Sequence, residues 1–335
     1  MAIKKNTIKY FAEHDGFPEK IYYHYTTVEA LFGIVSTQTI RLTSLRSSND
    51  KKELFYTPEE FLTDFEKVFN NEKEEALKRY FKLVYDDAIT HKTKFLKACK
   101  ITSKPYAFCL AKKRDNLTHW DRYAANGTGV CIAINTNTLK VQVQRSGSEL
   151  LGESIIDIGE AIYKDSLRQN TLRDELLSGL KLYSELNKLH ENGGPSDLLN
   201  YIFAASIYSR IMKFSKNGSF IDEDEIRIYH DSQSIPTTLK LYESAINTIP
   251  SIIPVIENFK NYVSSIKIDE EKFMLSTQGI RSFKELCLSD VWGSGVIPEI
   301  VLGPMCSQNK YELNQFLKKY NLGDTKVTVS KVPIR

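Results

Sequence analysis

Four acidic residues stand in a row at positions 222–225, and Arg227 follows two positions later. Neighbouring carboxylates repel one another, so an acidic turn surrounded by water is the simplest interpretation of this run. If a strand begins at Glu225, alternation puts Glu225 and Arg227 on one face, and a longer strand would add Glu223. A Glu-x-Glu-x-Arg arrangement at a strand start is more ordered than chance composition suggests. Such carboxylates can hold a metal ion or stabilise a developing positive charge.

A strand end rich in aromatic rings and hydrogen-bond donors occupies positions 22–27. Alternation along this strand puts Tyr22 and His24 on one face and Tyr23 and Tyr25 on the other. A histidine in such a strand, taken alone, is more often structural than functional. Its candidacy as a site residue therefore depends on the rest of the pattern.

A second aromatic segment reads Asn-Leu-Thr-His-Trp-Asp-Arg-Tyr at positions 116–123. Trp120 and Tyr123 are three positions apart, so on a helical turn they share a face. Two such rings can stack on a planar group such as adenine or nicotinamide. Packing in the hydrophobic core is the alternative interpretation, and the spacing alone does not separate the two.

The elements that must position these residues are short strands interrupted by helical blocks. Alternating and β-branched runs predict strands at 21–25, 39–43, 106–110, 129–135, 155–163, 225–230, 299–302 and 326–332. Helical spacing of apolar residues and capping signals predict helices at 28–36, 58–97 with a break at Asn70-Asn71, 167–190, 197–214 and 309–320.

These elements predict an α+β fold with a mixed or mostly antiparallel sheet and helical insertions at about 55–100 and 165–215. Because both ends of the chain contribute strands to the sheet, we expect one domain over residues 1–335, with its core starting near residue 20. The helical insertions are candidate surfaces for a partner or substrate.

The composition favours a cytoplasmic globular protein. The 335 residues are 41% hydrophobic and 26% charged, and the net charge of +3 is too small to predict nucleic-acid binding. The N-terminus has no apolar signal-peptide core, and no apolar stretch reaches the roughly 20 residues that span a bilayer. The five cysteines are odd in number and scattered, which is typical of reduced thiols.

Several common catalytic patterns are missing from the sequence. The stretch Asn126-Gly127-Thr128-Gly129 lacks the lysine of a phosphate-binding loop. There is no Gly-x-Ser-x-Gly nucleophile elbow, and no histidine pair has the spacing of a zinc site. We therefore expect no metal.

The motifs and their order resemble a bacterial family called domain of unknown function 2971, over most of the chain from about residue 20. Besides the strand at 22–27 and the Glu-x-Glu-x-Arg motif, the resemblance rests on Asn49, Asp50, Glu53, Phe108, Cys109, Asp115, Asn116, Leu117, Trp120, Tyr123, Gly129, Leu302, Gly303 and Pro304. The chain departs from the pattern at Lys51, where proline is common, and at Leu110, where serine is usual. The second departure would remove a polar group from a ligand cleft.

More distantly, the order of a histidine strand, an aromatic element and a Glu-x-Glu strand resembles ADP-ribosyltransferases of the His-Tyr-Glu type. This resemblance implies an ADP-ribosyltransferase-like sheet and NAD as the substrate. Breaking the nicotinamide–ribose bond builds oxocarbenium character, as in glycoside hydrolysis. Glu225 would stabilise that charge, and Glu223 would orient or deprotonate the acceptor.

The same resemblance implies roles for the other candidates. His24, with Thr26 beside it, would bind a ribose of NAD, and Tyr25 or Tyr123 would stack on nicotinamide. The site residues that this interpretation predicts for binding NAD are His24, Tyr25, Thr26, Arg41, Trp120, Tyr123 and Arg227. A guanidinium matches a phosphate with two hydrogen bonds, so the two arginines are the candidates for the pyrophosphate.

The leading hypothesis is therefore an NAD-consuming ADP-ribosyltransferase, and the resemblance implies a role as a toxin or in defence against phage. One alternative is a metal-dependent nuclease that uses Asp50, Glu53, Glu223 and Glu225 as its carboxylate cluster. Another is a non-catalytic adaptor or sensor whose aromatic cleft binds a nucleotide or a protein. The sequence identifies neither the macromolecular acceptor nor the oligomeric state.

Overall fold

The computed structural model describes residues 21–47, 56–101, 105–139, 156–190, 199–231, 268–276 and 279–333. The strands in these residues are β1 (Ile21–Thr26), β2 (Thr39–Ser44), β3 (Pro105–Ala111), β4 (Val130–Asn135), β5 (Ile156–Glu160), β6 (Glu225–Asp231), β7 (Lys272–Ser276), β8 (Gly279–Cys287), β9 (Glu299–Leu302) and β10 (Lys326–Val329). They form one open sheet in which the β9–β10 pair is parallel and the other described pairs are antiparallel. The α+β class with a mixed, mostly antiparallel sheet is thus confirmed.

The helices are α1 (Val28–Thr37), α2 (Pro58–Asn71), α3 (Glu75–Thr90), α4 (Lys92–Ile101), α5 (Leu117–Tyr123), α6 (Asp165–His190), α7 (Leu199–Met212) and α8 (Lys310–Lys319). Capping residues in the sequence mark where helices begin. Thr27 caps α1 by accepting from the backbone N–H of Ala30, and Thr57 and Glu60 form a capping box on α2. No helix within the described residues is long and apolar enough to cross a membrane.

Strand β3 is where the sheet divides. Along one edge β3 pairs with β6 over its whole length, from Pro105 to Ala111. Along the other edge it pairs with β1 at Ala111 and with β2 at Ala107 and Tyr106. Residues 108–110 therefore lie between two strands that diverge, and the polar backbone groups of this stretch need other partners.

The two faces of the sheet differ in character because side chains alternate along each strand. We call the side that carries Phe108 and Leu110 the core face, and the side that carries Cys109 and Ala111 the site face. The core face packs with α1 and α8 in a large cluster of buried residues that includes Tyr22, Leu31, Val35, Ile132, Ile226, Ile228, Ile300 and Leu317. Burial of each large apolar side chain contributes roughly 1.5–3 kcal/mol to folding.

The two helical segments form a second core of their own. Helices α2, α3 and α4 pack with α6 and α7 in a cluster, the helical cluster, that is separate from the core of the sheet. Phe61 of α2 lies at its centre, with ring centroids 6.0 Å from Phe95 of α4 and 5.7 Å from Tyr208 of α7. The two predicted insertions are therefore a single packed unit.

Some element predictions were wrong in detail. The helical block at 58–97 consists of three helices, because a further break falls at His91 as well as at residues 72–74. The predicted strand 155–163 ends at Glu160, and the hairpin of β7 and β8 was not predicted. The Pro-rich stretch around Pro236–Pro254 lies outside the described residues.

Candidate functional site

The carboxylate of Glu225 is buried on the site face between two cations. Lys216 donates to Oε2 of Glu225 at 2.5 Å, and Nε of Arg227 donates to Oε1 at 3.0 Å. The side chains are 4%, 7% and 0% exposed for Glu225, Lys216 and Arg227. The backbone N–H of Glu225 donates to the hydroxyl of Tyr163 at 3.0 Å, which fixes the start of β6.

This arrangement keeps Glu225 ionised. Burial alone would raise the pKa of the carboxyl, but the nearby charges of Arg227 and Lys216 outweigh it and lower the pKa from 4.5 to about 2. A buried charge is tolerated only when it is paired in this way. The carboxylate of Glu225 is therefore ionised at neutral pH although its side chain is buried.

Glu223 joins the group from outside the strand. It lies at the end of the 3₁₀ turn Gly218–Glu223, and Asp224, with φ of 46°, reverses the chain into β6. Lys216 donates to Glu223 at 2.5 Å, so its ammonium bridges the two glutamates. Tyr123 of α5 donates from its hydroxyl to the other oxygen of Glu223, also at 2.5 Å. The predicted grouping of Glu223, Glu225 and Tyr123 is thus present, with a lysine at its centre.

The contact between α5 and Glu223 has a second component. Nε2 of His119 donates to the main-chain oxygen of Glu223 at 3.0 Å, so Nδ1 is the unprotonated nitrogen of the ring. Burial lowers the pKa of His119, which is therefore neutral at pH 7. Its Nδ1 has no hydrogen-bond partner among the described residues. His119 and Tyr123 together attach the 3₁₀ turn to α5.

Cys109 links His24 to Glu225 at the point where the sheet divides. Nδ1 of His24 donates to the main-chain oxygen of Cys109 at 2.9 Å, and the thiol of Cys109 is hydrogen-bonded to the carboxylate of Glu225. The Cys109 side chain is exposed, yet burial and Glu225 raise the pKa of its thiol well above 9.

His24 and Glu225 nevertheless belong to opposite faces of the sheet. The ring of His24 stacks on Phe108, with centroids 4.1 Å apart, on the core face. Glu225 is paired with Ala111 and lies on the site face. Burial lowers the pKa of His24 to about 4, so the ring is neutral and its Nε2 can accept a hydrogen bond. The backbone of Cys109 separates the two predicted catalytic residues.

Three of the predicted NAD-binding residues are buried with their polar groups bound to other parts of the protein, which gives them structural roles. Trp120 is completely buried, and its Nε1 donates to Asp115 at 2.7 Å. Tyr25 is 6% exposed and donates its hydroxyl to the main-chain oxygen of Lys113. Arg227 is also fully buried, with its guanidinium bound to Glu225 and to the main-chain oxygen of Lys213. Trp120 and Tyr25 pack edge to face, 5.0 Å apart.

The other predicted residues that the structure describes are distributed over β1, β2 and α5. Arg41 is exposed on β2, where it pairs with Glu285 at 3.2 Å and covers the ring of Phe283. Thr26 ends β1 opposite Val130. The ring of Tyr123 is 42% exposed and can contact a ligand. Asp50 and Glu53 lie outside the described residues, within which no group of three His, Cys, Asp or Glu side chains is arranged to hold a metal ion.

The sequence-based prediction missed Lys216, His119, Cys109 and Tyr163 as members of the site. Lys216 lies nine positions before Glu225, at a short bridge that joins Ile162 to Ser215, and no periodic pattern marks it. His119 could have been found, since it stands one turn before Tyr123 on the same side of α5. For Cys109 the only indication in the sequence was the Phe-Cys motif of the family resemblance.

One known family model matches the middle of the chain. Residues 119–228 match the family model described as Protein of unknown function (DUF2971). The matched segment is about a third of the chain and runs from α5 to β6, so it contains His119, Tyr123, Lys216, Glu223 and Glu225. The DUF2971 match supports the family resemblance seen in the motifs. No curated protein and no solved structure matches the chain significantly. The resemblance to ADP-ribosyltransferases stays a prediction.

Proposed function

We propose that this protein is an ADP-ribosyltransferase-like enzyme that breaks the nicotinamide–ribose bond of NAD and transfers ADP-ribose to a macromolecule. The observation that carries the proposal is the Glu225 carboxylate, which is buried, ionised, and hydrogen-bonded to the exposed thiol of Cys109. Such an anion is costly to maintain in a protein interior. Its position beside the exposed Cys109 gives that cost a chemical use.

The chemistry requires a fixed negative charge near the anomeric carbon. As nicotinamide leaves, positive charge develops on the ribose ring, and a preorganised carboxylate stabilises it more in the transition state than in the ground state. Glu225 is held in one orientation by Arg227 and Lys216, so no reorganisation is needed when the charge forms. Arg227 is in this proposal a positioning residue rather than a ligand of the pyrophosphate.

The residues around Glu225 suit the other parts of the reaction. Three small residues of β3, namely Ala107, Cys109 and Ala111, lie directly beside Tyr229, Arg227 and Glu225 of β6. The exposed ring of Tyr123 offers a stacking surface for nicotinamide, and Glu223 is placed to orient an acceptor. His24 lies on the opposite face of the sheet and has no part in this proposal. Arg41 is the exposed candidate for a phosphate.

The two alternatives make different use of the same residues. A nuclease would use Glu223 and Glu225 as metal ligands in place of their present contacts with Lys216 and Arg227. An adaptor would bind a nucleotide against the exposed ring of Tyr123 and leave it intact. An enzyme of the proposed kind would serve as a toxin or as an effector of phage defence.

The test is release of nicotinamide from NAD by the pure protein, with and without cell lysate. We expect release that is lost in Glu225→Gln and retained in Glu160→Gln, a control glutamate that is 52% exposed on the neighbouring strand β5. Circular dichroism establishes that each variant is folded. Labelled NAD then identifies the acceptor in the lysate.

Other results would overturn the proposal. If the folded wild-type protein releases no nicotinamide under any of these conditions, the transferase assignment is wrong. Binding of NAD without turnover would then favour the adaptor. Cleavage of DNA or RNA only in the presence of magnesium would favour the nuclease. Equal release by wild type and Glu225→Gln would show that Glu225 is not the catalytic carboxylate.

A further inference from the structure

The hairpin of β7 and β8 carries an apolar patch on one side. Phe273, Leu275 and Ile280 are 67%, 84% and 75% exposed. Leu275 and Ile280 are directly opposite each other in the antiparallel pair, and Phe273 is two positions from Leu275, so the three side chains share a face. Contiguous exposed apolar side chains of this kind mark an interaction surface.

The same hairpin forms one edge of the sheet. β7 pairs with β8, and within the described residues no strand lies on its outer edge. Exposed edges are commonly protected by a lysine that points outward. The lysine of β7, Lys272, instead folds back on its own sheet, where it binds Asp269 at 2.6 Å and Glu285 at 2.7 Å. The charge of this lysine is therefore paired within its own chain and does not guard the edge.

We propose that β7 pairs in antiparallel fashion with β7 of a second copy of this chain, forming a twofold dimer. If the twofold axis passes through Met274, Phe273 of each copy lies opposite Leu275 of the other, and Lys272 lies opposite Ser276. No like charges then face each other. If the twofold axis is perpendicular to the sheet, the apolar faces of the two hairpins lie on the same side. The patches of the two copies then merge into one.

The charge pattern and symmetry favour a second copy over other occupants. A strand from an unrelated protein would need apolar side chains at the same alternating positions. A second β7 strand carries them by symmetry. The contact of two strands is small beside the roughly 1,600 Å² of a standard interface. We therefore expect a dimer that dissociates in the micromolar range.

The decisive measurement is the mass of the full-length protein by analytical ultracentrifugation over a range of micromolar concentrations. We expect the mass to double as concentration rises, and Leu275→Lys to abolish this doubling. Val329→Lys is the matched control, because Val329 is 55% exposed on β10, the strand at the opposite end of the sheet. The control should dimerise like the wild type.

A second variant tests the register. Met274→Cys places two thiols opposite each other across the proposed axis, so oxidation should give a covalent dimer that maps to position 274. Lys272→Cys should cross-link far less, since its partner in the second copy is Ser276. A monomer at every concentration, a dimer that survives Leu275→Lys, or a dimer lost in Val329→Lys would each overturn the proposal, as would equal cross-linking of the two cysteine variants.

Discussion

Lys216 donates a hydrogen bond of 2.5 Å to Oε2 of Glu225, and both side chains are almost completely buried. The same ammonium contacts Glu223, so one lysine offsets two carboxylates that lie close enough to repel each other. The stability of the site and its proposed chemistry therefore depend on a residue outside the Glu-x-Glu-x-Arg motif.

Removal of this lysine should be far more damaging than removal of an exposed one. Lys216→Ala leaves two glutamates without their shared cation, and we expect the free energy of unfolding to fall by about 3–5 kcal/mol. Lys82→Ala removes a lysine paired with Asp86 on the surface, where both side chains are more than half exposed, and should cost less than about 1 kcal/mol. Urea denaturation at neutral pH compares the two. Similar losses would contradict the buried pairing.

Acid should destabilise the protein through Glu225. The unfolded carboxyl binds a proton near its ordinary pKa of 4.5, whereas in the folded protein the pKa is about 2. The stability that the pair contributes is therefore present above pH 4.5 and is lost as the pH falls towards 2. The expected loss is on the order of 3 kcal/mol. Unfolding curves at a series of acidic pH values measure it, and Glu225→Gln should show a shallower acid slope. If the wild type and Glu225→Gln lose stability equally with falling pH, Glu225 is not the group responsible.

His24 should remain neutral well below the usual pH of histidine titration. Burial lowers its pKa from 6.5 to about 4, and only the hydrogen bond to Cys109 partly counteracts this effect. Folding stability linked to His24 is thus present above pH 6.5 and is lost as the pH falls towards 4, because only the unfolded ring takes up a proton there. NMR titration of the ring, assigned with His24→Gln, gives the pKa directly. A value near 6.5 would mean that the ring is open to solvent.

Tyr123 should contribute its ring more than its hydroxyl to NAD binding under the proposed function. Tyr123→Phe keeps the ring and loses only the contact with Glu223, whereas Tyr123→Ala removes a stacking surface worth about 1–3 kcal/mol. We expect a rise in KM for NAD of about tenfold or more in the alanine variant and a much smaller one in the phenylalanine variant. Tyr311→Ala, an exposed tyrosine on α8, serves as the control. Equal KM values in all variants would exclude stacking.

Gly129 should tolerate no side chain, although it is not in a left-handed conformation. A Cβ atom there would lie 2.2 Å from the main-chain oxygen of Thr26, so Gly129→Ala must move β1 or β4. We expect a loss of more than about 3 kcal/mol. In Gly33→Ala the added methyl meets no atom within 4 Å, and the helix α1 should gain about 0.5–1 kcal/mol. Thermal denaturation separates the two, and a stable Gly129→Ala would refute the close approach.

Local patterns predicted most of the elements because their causes are local. The strand 299–302 was found from its β-branched run. The start of α1 was found from a capping signal at Thr26 or Thr27, and the structure shows that Thr27 is the cap. The shared face of Glu225 and Arg227 follows from the twofold period of a strand. The hairpin of β7 and β8 was missed because residues 277 and 278 are Thr-Gln, which lacks the Asn-Gly signature of a tight turn.

The site was less predictable because its geometry depends on contacts between distant segments. Whether His24 and Glu225 share a face is set by the register of β1, β3 and β6, which no single segment encodes. Trp120 and Tyr123 share a helical turn, yet the sheet buries one ring and leaves the other exposed. The role of Lys216 arises only when the 3₁₀ turn brings Glu223 back to it.

The helical cluster also has a consequence for synthesis on the ribosome. Phe61 packs against Tyr208, which follows 147 positions later (208 minus 61). At the usual rates of translation this interval is on the order of ten seconds. During that time α2, α3 and α4 have left the ribosome with their apolar faces uncovered, because the helices that cover them have not been made. We therefore expect the nascent chain to need protection by chaperones until residue 212 emerges.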